Sequence, residues 1–175
     1  MAGAESLPEW FMPPRMIGGH VTGPAFISRS DRVMVAVRQV LAFPVGVEFE
    51  IEAHARGPSA AEAPPESDLF GGLPHPRFRL RFADGTQVVQ DDDTGLRGGR
   101  GPMLSRSRAE GSSGGPDNGE SVRLSLWLWP LPPPGPLTLT CSWPHRGLQD
   151  ASIILDADAI RAAADRARPF WPEKS

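Results

Sequence analysis

From Val47 to His54 the chain alternates without a break: Val47, Phe49, Ile51 and Ala53 fall on one side, and Glu48, Glu50, Glu52 and His54 on the other. Successive side chains of an extended strand point to opposite faces, so this run describes a strand that is buried on one side and wet on the other. A helix would spread the same apolar residues around its circumference. A half-wet strand needs antiparallel neighbours and a second layer over its apolar face.

The same period recurs along the chain. Val33, Val35, Val37, Leu41 and Phe43 share a face, as do Phe78, Leu80 and Phe82 against Arg77, Arg79 and Arg81. Val122, Leu124, Leu126 and Leu128 oppose Arg123, Ser125, Trp127 and Trp129, and Leu137, Leu139, Cys141 and Trp143 oppose Thr138, Thr140 and Ser142. Shorter strands are expected at 25–29, 103–108 and 152–155, and Asp84-Gly85 has the chemistry of a two-residue hairpin turn leading into 86–90. With 19 Gly and 20 Pro among 175 residues, a helical bundle or coiled coil is excluded. One helix is expected, from Ala157 to about Arg168. Asp156 is its N-cap, Asp158 stands in its first turn, Arg166 and Arg168 in its last, and Ile160, Ala164 and Ala167 form its apolar stripe. Pro169 closes it, and Phe170 and Trp171 are expected to fold back on the core.

These elements imply an all-β fold, an antiparallel β-sandwich with one short C-terminal α-helix, as a single domain over 1–175. Irregular loops are expected near 57–75 and 91–120, with a Gly- and Ser-rich linker closing the second, and an irregular arm over 10–22 anchored by Trp10 and Phe11. The glutamate and arginine rows suggest a register: Glu52 facing Arg77, Glu50 facing Arg79 and Glu48 facing Arg81 on adjacent antiparallel strands.

The net charge of −3 lacks the attraction expected of a duplex-nucleic-acid or anionic-membrane binder. No run approaches the length of a membrane span, and Met1 to Gly19 has no secretory pattern, so a cytoplasmic location is expected. Cys141 is the only cysteine, which excludes an internal disulfide and a thiolate zinc site. Only Lys174 of the 18 cations is lysine; this accompanies high Ala, Gly and Pro and fits a GC-rich genome.

Trp127-Leu-Trp-Pro-Leu-Pro-Pro-Pro-Gly-Pro-Leu137, followed by Trp143-Pro144 and an Ala-rich terminal helix, resembles a group of hypothetical proteins of GC-rich bacteria with no established activity. The specific part covers 121–171. The resemblance implies a whole-domain unit and supplies no catalytic residues.

Candidate sites each have a simpler account beside them. Asp91, Asp92 and Asp93 offer oxygens to a hard cation but lack EF-hand spacing, and a solvated turn balanced by Arg97 and Arg100 explains them. His20, His54, His75 and His145 stand apart without metal-ligand spacing. His54 beside Glu52 and Glu50 has the makings of a general acid/base site, although charge pairing also accounts for the glutamates. No GxSxG elbow occurs, and Cys141 sits on an inward face where a thiol is inert packing. The stretch 97–101 has Arg-Gly character suited to single-stranded nucleic acid, but without interleaved aromatics. Trp127, Trp129 and Trp143 suit an aromatic platform for a sugar or base, or a cover over one end of the sandwich. Pro132, Pro133 and Pro134 suit polyproline II docking, or a stiff connection stacked on the protein's own tryptophans.

No nucleophile, base and orienting group stand together in the sequence, so the expected function is a non-catalytic module acting through protein contact, with no cofactor and no metal. Trp127, Trp129, Pro132, Pro133, Pro134 and Trp143 are its expected binding residues. The alternative is a hydrolase or small-ligand binder, carbohydrate included, whose pocket is assembled from distant residues such as His54, His75 and the aspartates.

Overall fold

The computed structural model describes residues 7–21, 23–58, 75–91, 99–114 and 117–172. In chain order its strands are β1 (Met16–Ile17), β2 (Gly19–Val21), β3 (Ala25–Arg29), β4 (Val33–Phe43), β5 (Gly46–Ala55), β6 (Arg77–Arg81), β7 (Gln87–Val89), β8 (Met103–Gly114), β9 (Gly119–Trp129), β10 (Pro136–Trp143), β11 (Leu148–Asp156) and β12 (Arg168–Pro169). The helix α1 spans Ala157–Ala164.

Two antiparallel sheets pack face to face, as an all-β sandwich with a short C-terminal helix. One has six strands in the order β2-β4-β5-β9-β8, with β3 beside β2 on the free edge of β4; the other has four, β11-β10-β6-β7. A small ribbon joins β1 to β12. Val35, Phe49, Ile51, Leu124, Leu126 and Leu128 of the larger sheet meet Phe78, Leu80, Leu137, Leu139 and Trp143 of the smaller in one core, with Ile160 and Ala163 of α1. Each such large side chain withdrawn from water contributes about 1.5–3 kcal/mol.

The charge rows pair differently from the expected register. Strand β5 lies between β4 and β9, and β6 between β10 and β7, so Glu50 and Arg79 stand in different sheets. The apolar sides of β5 and β6 meet across the core, not edge to edge. Glu52 instead takes Arg38 Nε at 3.1 Å and Arg123 Nη2 at 3.7 Å, and Arg79 takes Asp150, with Nη1 at 3.1 Å. Short connections between β4 and β5 and between β8 and β9 favoured sequence-local neighbours.

Four further corrections have local causes. Strand β4 carries a bulge at Arg38, between the pairs Val37↔Ile51 and Gln39↔Glu50, so Val40 and Ala42 turn inward in place of Leu41 and Phe43. The β6–β7 hairpin closes through Phe82 and Thr86 around Ala83, Asp84 and Gly85, a three-residue loop with Gly85 at φ +88° in place of a two-residue turn. Helix α1 ends at Ala164, ahead of Arg166 and Arg168, whose guanidiniums still donate to the carbonyls of Ala162 and Asp165. Phe170 and Trp171 are 51% and 72% exposed, because Phe170 N–H donates to Arg15 O and the β1–β12 ribbon carries the chain away from the core.

The strand expected over 103–108 continues to Gly114, taking in part of the expected linker, and that expected over 152–155 runs from Leu148. The Asp156 cap is present: its carboxylate accepts from Asp158 N–H and Ala159 N–H.

Candidate functional site

Among the described residues, the outward face of the six-stranded sheet brings together many polar and charged side chains. Strand register sets it out in rows: Leu41, Glu48, Trp127 and Ser105; then Gln39, Glu50, Ser125 and Arg108; then Ala36, Glu52, Arg123 and Glu110; then Met34, His54, Ser121 and Ser112. The face therefore grades from apolar at the Trp127 end to polar at the Ser121 end.

At the apolar end the N-terminal arm crosses the sheet. Trp127 Nε1–H donates to Trp10 O at 2.9 Å, and Phe43 meets the Trp127 ring edge-on with centroids 5.8 Å apart. Gly99, at φ +71°, lies so close to the Trp10 ring that a Cβ has no room there. Between them is a notch of about 200 Å³ lined by Trp10, Phe11, Met12, Met103, Ser105 and Trp127. Trp10 Nε1 is buried at this contact with no hydrogen-bond acceptor among the described residues.

In the middle, the carboxylates of one strand are driven in opposite directions. Burial, followed by the charge of Glu50, pushes the Glu48 carboxyl above its ordinary range against the pull of Arg108 and the Ser125 hydroxyl. The hydrogen bond from His54, followed by Arg38 and Arg123, holds Glu52 below it against partial burial.

At the polar end a cleft of about 320 Å³ is lined by His54, Arg56, Ser112, Asp117, Glu120 and Ser121. His54 Nε2 lies 2.8 Å from Glu52 Oε1. The Glu120 side chain, 1% exposed, is paired with Arg146, which is 6% exposed and also donates to Gly57 O at 2.7 Å. His145 Nε2 lies 3.7 Å from the same carboxylate. Glu120 and Arg146 escaped sequence reasoning, although one signal was there: Glu120 has the parity of the inward-facing Val122 and Leu124.

The expected tryptophan cluster is dispersed. Trp127 forms the notch, Trp129 stands half-buried against Gly101, and Trp143 is fully enclosed between the sheets. Pro132 is buried with its carbonyl accepting from Arg161 Nη1 at 3.1 Å; Pro133 is half-buried and Pro134 exposed. His75 is buried, His20 is exposed at the arm, and Asp91 lines a separate groove with Arg100, so His54, His75 and Asp91 do not converge. Asp92, Asp93 and Arg97 lie outside the described residues. Burial pushes the Cys141 thiol up to about 12.

Among the described residues no group of three His, Cys, Asp or Glu side chains is placed to hold a metal ion, and no helix is long and apolar enough to cross a membrane. No protein-family model matches the sequence, and no curated protein is similar to it.

Proposed function

We propose that the protein works by protein contact in the cytoplasm, with the notch between Trp10 and Trp127 receiving an apolar side chain of a partner. The observation that carries this reading is an aromatic, methionine-walled recess set in a charged face. Interface energy concentrates where an anchor side chain fills a desolvated pocket inside a polar rim, and here Glu48 stands directly beside Trp127, with Glu50 and Arg108 in the next row of the face. Methionine walls adapt to the shape of the anchor. At about 200 Å³ the notch suits one side chain and falls below the roughly 300–1,000 Å³ of small-molecule pockets. Burial of Pro132 against Arg161 favours the notch over the proline-rich connection as the contact surface.

The test is capture of binding proteins from lysate of the source organism with the wild type, with Ser105→Phe, which fills the notch, and with Ile154→Ser, on an exposed site of the other sheet. A partner retained by Ile154→Ser and lost with folded Ser105→Phe supports the reading. A partner indifferent to Ser105→Phe, or none with any protein, overturns it.

A further inference from the structure

We infer that Ser121, His54, Glu52 and Arg56 form a serine ester-hydrolase centre in the polar cleft at the other end of this face, acting on carboxylic esters of small neutral acids. The inference is independent of the contact reading, since it uses none of the notch residues.

Strand order assembles the group. Because β5 and β9 lie side by side, His54 and Ser121 are directly opposed residues. The Cβ atoms of such a pair stand about 4.5–5.5 Å apart, within the span over which a seryl Oγ reaches an imidazole nitrogen by rotation about its χ1. The 2.8 Å contact of His54 Nε2 with Glu52 Oε1 fixes the ring and assigns the Nε2 proton to the carboxylate contact, leaving Nδ1 as the nitrogen that accepts a proton. Glu52 is in turn braced by Arg38 and Arg123 from the strands on either side. A purely structural ion network accounts for those arginines. It gives no reason for a cleft of about 320 Å³ beside the imidazole, lined by Ser121 and Arg56. The volume limits the substrate to a small ester, and Asp117 on the same wall disfavours an anionic acyl group.

In the acylation step Ser121 Oγ bonds to the ester carbonyl carbon while His54 Nδ1 takes the hydroxyl proton. The carbonyl π pair moves to oxygen, where the Arg56 guanidinium meets the negative charge. When that pair returns, the bond to the alcohol oxygen breaks and the leaving oxygen takes the proton from His54. Water then attacks the acyl-serine by the same sequence and releases the carboxylic acid, restoring Ser121. Glu52 touches none of the reacting atoms and is a positioning residue.

The test treats the full chain with a fluorophosphonate, whose phosphorus bonds to an activated serine oxygen as fluoride leaves, and maps the label by peptide mass spectrometry. The label is expected on Ser121. His54→Ala should slow labelling by about 100-fold or more, in line with the size of general-base effects. With p-nitrophenyl acetate, Glu52→Gln should lower kcat and leave KM in place, which loss of a merely structural ion pair does not do. Ile154→Ser should label as wild type does. A wild-type chain unlabelled at Ser121, or His54→Ala labelled at the wild-type rate while folded, overturns the assignment. The wild-type result decides even where a variant misfolds.

Discussion

Trp127 and Trp10, far apart in the chain, are joined by one hydrogen bond from indole Nε1 to backbone oxygen at 2.9 Å, and it ties the N-terminal arm to the outer face of the larger sheet. Trp127→Phe keeps most of the ring contact with Phe43 and removes the donor. A net loss of about 0.5–1.5 kcal/mol follows from one neutral hydrogen bond. The arm should then exchange its amide hydrogens faster around Trp10, while amides of β5 and β9 keep their protection. Equal protection of the arm in both proteins would show that the bond does not hold it.

Glu48 and Glu52 respond to neutralisation with opposite sign. Because the folded chain raises the Glu48 carboxyl, its contribution to stability is present below the unfolded carboxyl range and is lost as pH rises through the folded value. Glu48→Gln should therefore unfold at a higher temperature than wild type at pH 7, with the gap closing towards pH 3. Glu52 is held low, so its contribution is present above the unfolded range and lost as pH falls through the folded value. Glu52→Gln should unfold at a lower temperature at pH 7, with that gap also closing in acid. Thermal melts of both variants across pH 3–7 check the pair of signs.

Face assignment was legible wherever the period of two held, as in Val47 to Ala53, Leu124 to Leu128 and Leu137 to Trp143, because burial of one face dictates it. Strand partnership was not. Cross-strand charge pairs are worth only about 0.2–1 kcal/mol each, and the row of Glu48, Glu50 and Glu52 fits more than one arginine-bearing neighbour. The Arg38 bulge left a trace, since Arg38 and Gln39 together interrupt the alternation, but nothing in the spacing said which side of the break would turn over. The notch and the cleft were illegible for the same reason as the strand order. Trp10 meets Trp127 only once the arm lies over β8 and β9, and His54 stands opposite Ser121 only once β5 and β9 have become neighbours.

Arg146→Met should be among the most damaging single changes. It leaves Glu120 as a buried carboxylate without its guanidinium partner, at a cost of about 3–5 kcal/mol, a large part of the roughly 5–15 kcal/mol that holds a domain of ordinary stability. Glu120→Gln combined with Arg146→Met removes the stranded charge and should recover most of that loss. Urea midpoints of the single and double variants measure it. Additive losses would show that the two side chains are not coupled.

Cys141 offers an unusually clean alkaline probe, because the chain has no tyrosine and a single lysine. Its thiol is fully enclosed between Leu139 and Trp143 on β10, where burial, followed by the charge of Asp150, raises its pKa from an ordinary 9.0 to about 12. Below pH 9 both folded and unfolded chains keep the proton, and the stabilising difference is intact. Above it the unfolded chain loses the proton while the folded chain keeps it, so stability falls by up to about 1.4 kcal/mol per pH unit until the folded thiol also ionises near 12. Urea midpoints should therefore decline from pH 9 to 10.5 in the wild type and stay flatter in Cys141→Ala, despite the lower starting stability of the truncated core. Native protein at pH 8 should resist a thiol reagent that reacts at once in denaturant, since the reagent needs the thiolate and a path to it. Fast modification of the native chain would place the thiol nearer to water than its packing between the sheets allows.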